Sequence, residues 1–187
     1  MNKHLLIIFL FSQFSLFSQI SIYLNFGMNY GNYDTRYSGS FAPYYNMFSY
    51  KGGIDIRYKF SENYFIKSGL LYSQRGGSVD NPFVERRDKL IAEFLEMPII
   101  INRVYKDRYS FGIGLVVSHL GHPVVHRIEE RKYDIDFTTT IGFKFYNRFS
   151  LDASYLFGGL LSYFNKNDAY LYSVGNLSLS YRLFQFK

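Results

Sequence analysis

The chain contains no cysteine and no tryptophan, and only 4 proline and 15 glycine among its 187 residues. Without cysteine there is no disulfide framework, no thiolate zinc site and no cysteine nucleophile. So little proline and glycine excludes collagen-like and low-complexity chains. Charge is also sparse: Asp, Glu, Lys and Arg make up 19%, and the formal charge of +6 is spread along the chain, so nucleic acid is not an expected partner. No apolar run approaches the roughly 20 residues of a membrane-spanning helix. Aromatic residues, in contrast, are abundant. The 19 Tyr and 20 Phe amount to 21% of the sequence, more than a disordered chain could keep solvated, and the length suits a single domain.

Met1-Asn2-Lys3-His4 is a short basic start, followed by the apolar run from Leu5 to Phe11 and then by small or polar residues to Ser18-Gln19. This layout predicts a secretory signal peptide over 1–18, cleaved after Ser18, with the mature domain spanning 19–187. Interruption of the apolar run by Ser12 and Gln13 argues against an uncleaved anchor.

From Ile20 onward the hydrophobic rhythm has period two. Ile20, Ile22, Leu24, Phe26, Met28 and Tyr30 fall on one face, with Ser21, Tyr23, Asn25, Gly27 and Asn29 on the other. The alternation recurs around Ile54–Phe60, Ile66–Tyr72, Leu95–Ile101, Phe111–Val117, Ile135–Phe145, Phe149–Phe157 and Leu177–Leu183. Strands of about ten residues, joined alternately by short turns and long loops, predict an all-β fold: an eight-stranded antiparallel up-and-down transmembrane β-barrel. The short connections are Ser61-Glu62-Asn63, Asn102 to Arg108, and Tyr146-Asn147-Arg148. Longer ones run from Gly31 to Ser49, Arg75 to Lys89, Leu120 to Lys132 and Gly158 to Ala169. In such barrels the short turns are periplasmic, which would put both termini in the periplasm of a Gram-negative cell.

A soluble lipocalin-like barrel would show the same alternation with its apolar face turned inward. Volume argues for the other orientation, because an eight-stranded interior barely accommodates its side chains and the apolar faces here are crowded with large ones. The opposite faces carry Asn25, Gly27, Gly69, Gly112, Gly114, Thr138, Thr140, Gly142, Ser178 and Ser180, a set small enough for a narrow lumen.

The segment Phe94-Leu95-Glu96-Met97-Pro98-Ile99-Ile100-Ile101, followed by a turn and Tyr109-Ser110-Phe111-Gly112-Ile113-Gly114, resembles the aromatic-Leu-Glu-aliphatic-Pro-aliphatic strand of small PorT-like outer-membrane β-barrel proteins of Bacteroidota. The resemblance implies an outer-membrane location and insertion by the barrel-assembly machinery, with outer-membrane lipids as surroundings. One branch of that family is linked to type IX protein secretion. Glu96 is expected to face the lumen, and Pro98, which lacks a ladder donor, to cause a bulge or a local distortion.

Inward positions carry Asp55, Arg57, Lys59, Lys67, Glu96, Asp134, Asp136, Lys144, Asp152 and Arg182. Buried charges need partners, so these residues predict an ion-pair network that plugs the barrel rather than an open porin channel. Ser118 and His119 are adjacent and so point to opposite faces of a strand, which separates nucleophile from base. His122 or His126, with Glu129 or Glu130, would have to return from the third long loop. The spacing His119-x2-His122-x3-His126 could hold a metal ion, but Pro123 opposes a single helix there, and neither a metal nor a cofactor is expected. Arg75, Arg86, Arg87 and Lys89 bracket the second long loop and are candidates for contact with an anion such as a lipopolysaccharide phosphate, although Asp80, Glu85 and Asp88 partly cancel them. The Tyr-, Ser- and Gly-rich first loop suits either an aromatic belt or contact with an extracellular or envelope protein. Gly112-Ile113-Gly114 has no following helix to hold phosphate, so these glycines are read as making room in the lumen. The sequence therefore predicts a non-enzymatic envelope structural or surface-interaction protein. A membrane-embedded lipid-modifying hydrolase and an accessory factor for secretion are the alternatives.

Overall fold

The computed structural model describes residues 19–34, 44–81, 86–122, 133–158 and 171–186. The strands are β1 (Gln19–Asp34), β2 (Tyr44–Ser61), β3 (Tyr64–Asn81), β4 (Arg86–Tyr105), β5 (Tyr109–His122), β6 (Tyr133–Tyr146), β7 (Phe149–Gly158) and β8 (Leu171–Phe186). Each pairs with its sequence neighbour, and β8 returns to β1, so the barrel is closed, antiparallel and up-and-down. Closure leaves no lateral strand edge to pair with another chain.

The period-two pattern determines which side of the wall each residue occupies. Among the described residues, 35 large apolar or aromatic side chains are exposed, whereas the buried apolar set is Leu71, Ala92, Phe94, Ile100, Val116, Leu156 and Val174. Buried polar residues outnumber them and include Asn25, Asp55, Glu96, Asp136 and Ser180. Hydrophobic burial cannot hold such a molecule together in water, because the apolar surface lies outside and the polar surface inside. This is the arrangement of a transmembrane barrel.

The outer surface is itself layered. At the short-turn end aromatic rings neighbour one another: Phe60 and Tyr64 at 6.1 Å between centroids, Tyr109 and Phe143 at 5.2 Å, Phe145 and Phe149 at 6.0 Å, Phe149 and Tyr181 at 4.9 Å. Toward the other end a second set comprises Tyr30 and Phe48 at 4.7 Å, Tyr50 and Tyr72 at 6.1 Å, and Phe137 and Phe157 at 6.2 Å. Exposed aliphatic residues such as Ile54, Ile99, Ile101, Ile113, Leu115, Ile141, Leu177 and Leu179 lie between them.

The expectation about strand extent needs correction. Strands β2, β3 and β4 reach 18, 18 and 20 residues, well beyond the ten or so expected. The pairing of β3 with β4 continues from Arg75↔Ala92 to Asn81↔Arg86, so most of the expected second long loop is a β-ladder. Extending the strands also moves Arg75 from a loop into the barrel wall. At Pro98 the expected distortion takes the form of a break in the ladder rather than a bulge: β3–β4 pairing skips Gly69 and Leu70 opposite Pro98 and Met97, while the register is the same on either side, at Ser68↔Ile99 and Leu71↔Glu96, and pairing with Val116 on β5 is unshifted. A register shift of β4 against β5 falls at Glu93/Phe94.

Glycine has a steric role in the lumen. A Cβ at Gly112 would lie 2.6 Å from Thr140 Oγ1 and would overlap Asn102 Oδ1; at Gly114 it would lie 2.6 Å from the Ile100 Cα. The turn from β4 to β5 is tight, with Lys106 and Asp107 at φ of 51° and 54°. Positive φ at both central residues matches the right-handed twist of the flanking strands.

Candidate functional site

Side chains from all eight strands converge in the lumen and form two ionic clusters. In the half nearer the long connections, Arg75 of β3 is 1% exposed. Its Nε donates to Glu96 Oε1 at 2.8 Å, its Nη1 to Asp136 Oδ2 at 3.0 Å and its Nη2 to Ser118 Oγ at 2.9 Å. Nη2 also donates to Glu96 Oε1. The other Glu96 oxygen accepts from Lys51 Nζ at 2.6 Å. Ser118 donates to Asp136 at 3.3 Å, and the guanidinium carbon lies 4.5 Å from the Phe94 ring centroid. A planar guanidinium suits this place because its fixed donors can serve two carboxylates and a hydroxyl at once.

The second cluster lies toward the short turns. Arg57 Nη2 donates to Asp152 Oδ2 at 2.8 Å and to Ser150 Oγ at 3.3 Å. Lys67 Nζ bridges Asp55 Oδ2 at 3.2 Å and Asp152 Oδ2 at 3.4 Å. Asn25 Nδ2 donates to Asp55 Oδ2 at 3.1 Å and to Ser180 Oγ at 3.0 Å, and Ser180 donates to Asp152 at 3.1 Å. The Arg57 guanidinium carbon lies 4.0 Å from the Tyr23 ring centroid. Removing these ions from water is costly, and each charge is offset by an opposite charge and neutral hydrogen bonds. Between the clusters is a cavity of about 30 Å³, lined in part by Asn25, Lys67, Arg75 and Glu96. That is room for about one or two waters rather than a conduit.

Six of the ten lumen charges read from the sequence, Asp55, Arg57, Lys67, Glu96, Asp136 and Asp152, therefore belong to these clusters. Asp134 is half-buried near the start of β6, where its carboxylate accepts from the Ile135 backbone N–H at 2.9 Å. Lys59, Lys144 and Arg182 stand together around a wider cavity of about 500 Å³ at the short-turn end. Two members of the first cluster, Lys51 and Arg75, were not among those ten. Lys51 continues the inward series Asp55, Arg57 and Lys59 by two steps of two, and Arg75 continues Lys67, Gly69 and Ser73. The period was a sufficient signal, had the strands been extended.

For the anion group the structure requires a correction. Arg75 is removed from the outer rim, and its guanidinium is engaged by Glu96 and Asp136 inside the wall. Lys89 is exposed on β4. Arg86 and Arg87 fall at the start of β4, but their side chains lie outside the described residues, as do those of Asp80, Glu85 and Asp88. Ser118 is fully buried in the lumen, whereas His119 is on the outer side with its ring 4.8 Å from that of Tyr133. That divergence separates the adjacent pair as alternation requires. The His122 side chain, His126, Glu129, Glu130 and residues 35–43 of the first long loop also lie outside the described residues.

No protein-family model matches the sequence, and no curated protein matches it. Solved structures do. The attachment invasion locus protein Ail of Yersinia pestis, crystallised with the heparin analogue sucrose octasulfate, is 14% identical, with a TM-score of 0.42 over 90% of this chain and 99% of Ail. The outer membrane protein OprG from Pseudomonas aeruginosa is 8% identical, with a TM-score of 0.49 over 90% of this chain and 94% of OprG. The barrel assignment itself rests on the closed strand pairing of this chain.

Proposed function

We propose that this chain is a non-enzymatic outer-membrane β-barrel protein with a plugged polar lumen, serving as an envelope structural or surface-interaction protein. The observation that carries the reading is the pairing of an aliphatic outer band, bounded by aromatic rings, with an interior closed by ion clusters. Tyr and Phe gather at both interfaces of such barrels, and the hydrocarbon core takes the aliphatic residues between. The short turns and the termini share one end, which by the usual asymmetry of these barrels is the periplasmic one. A protein that neither conducts nor cleaves acts through what it presents at its two ends.

The hydrolase alternative rests on His122 or His126 with Glu129 or Glu130 of the third long loop, which lie outside the described side chains, while Ser118 is buried in the lumen against Arg75 and Asp136. A secretion role rests on the PorT-like character of residues 94–101; a deletion strain with a secretion defect but normal levels of other barrels would favour it. Closure of the lumen has its own test. In planar bilayers the purified full chain is expected to give no stable conductance steps in molar salt. Sustained porin-like steps would sink the plugged-barrel reading.

A further inference from the structure

The deeper lumen balances its charges, but the short-turn end does not. There the cavity of about 500 Å³ is lined by Lys59, Lys144, Arg182 and Arg57, with Tyr23 and Phe65 among its walls. Arg57 is paired with Asp152. No carboxylate among the described residues lies within ion-pair distance of Lys59, Lys144 or Arg182. Arg182 spends one donor on Gln185 Oε1 at 2.6 Å, which leaves most of its guanidinium available. Arg57 Nε is buried without a hydrogen-bond partner. Asp107, also on the lining, belongs to the exposed turn at the rim.

We propose that this vestibule binds a compact multivalent phosphate. Cations converging in a concavity with low-dielectric walls focus a positive potential, which an entering anion relieves. The volume is that of a small-molecule site. The Arg182 guanidinium and the Lys59 and Lys144 ammoniums can together meet several oxyanion edges of an oligophosphate, a geometry for which Arg is suited. The side chains point into the lumen rather than toward the lipid-facing wall, so the phosphate enters along the barrel axis. The site stands whether or not the loops at the far end engage a partner.

The test uses the full chain in zwitterionic nanodiscs, titrated calorimetrically with sodium tripolyphosphate. Saturable binding is expected, weakening with added salt and weakened about tenfold or more in the triple variant Lys59→Gln/Lys144→Gln/Arg182→Gln. An unchanged gel mobility shift on heating verifies that the variant is folded. Should it not fold, the single exposed-site variant Lys144→Gln is expected to weaken binding about two- to threefold. Absence of saturable binding, equal affinity for citrate, or undiminished binding by the folded variants would overturn the proposal.

Discussion

Glu96→Leu is expected to lower the unfolding free energy of the barrel by about 3–5 kcal/mol, the usual cost of removing one partner from a buried ion pair. Glu96 is 1% exposed and accepts from both Lys51 and Arg75, so its loss removes the carboxylate that these two cations share. The leucine adds apolar volume beside Leu71, its partner on β3, but supplies no acceptor. Urea titration of the chain refolded into phospholipid vesicles, with the folded fraction read from unboiled gel mobility, would measure the change. Lys144→Gln provides the contrast: that side chain is exposed at the mouth, and its replacement is expected to shift stability by no more than about 0.5 kcal/mol. Equal stability of Glu96→Leu and the native chain would show that the ionic cluster does not hold the wall.

The second large effect is expected on the outer surface. Leu115 is 45% exposed in the aliphatic band and pairs with Ile99 on one side and Phe137 on the other. Arginine near the bilayer midplane of a barrel costs about 2–4 kcal/mol, falling to about 0–1 near the interfaces, so Leu115→Arg should impair insertion. The chain follows this rule already. Its outward Arg103 lies near the short-turn end, 6.0 Å from the ring centroid of Tyr64, where the charge can reach water. In a water-soluble barrel the same substitution on an exposed site would be harmless and would improve solubility. The folded yield in vesicles, relative to the native chain, distinguishes the two cases, and an unimpaired yield would count against a lipid-facing wall.

The face of each strand was legible because alternation is a local property. Ile20 to Tyr30 and Ser21 to Asn29 fall on opposite sides as read. Strand ends were less legible where composition imitates a turn: Arg75-Gly76-Gly77-Ser78 reads as a loop, yet in the barrel all four residues are buried and paired with β4. Ile99-Ile100-Ile101 and Leu115-Val116-Val117 are apolar on both faces, which concealed the inward positions of Ile100 and Val116. The lumen charges could be identified, but their pairing could not. Arg57 meets Asp152 across 95 residues of sequence and Arg75 meets Asp136 across 61, so partner choice depends on closure and register rather than on spacing. The vestibule was hidden for the same reason: Lys59, Lys144 and Arg182 come from β2, β6 and β8 and meet only at the barrel mouth.

The most direct test of a membrane-embedded closed barrel is to fractionate cells expressing the full chain and run the outer-membrane fraction, unboiled and boiled, on a denaturing gel. A closed transmembrane barrel is expected in that fraction and should migrate differently before and after heating, since its strand pairing persists in detergent until heat breaks it. Recovery as a soluble periplasmic protein with a single heat-independent mobility would contradict the assignment of the aromatic and aliphatic surface to lipid.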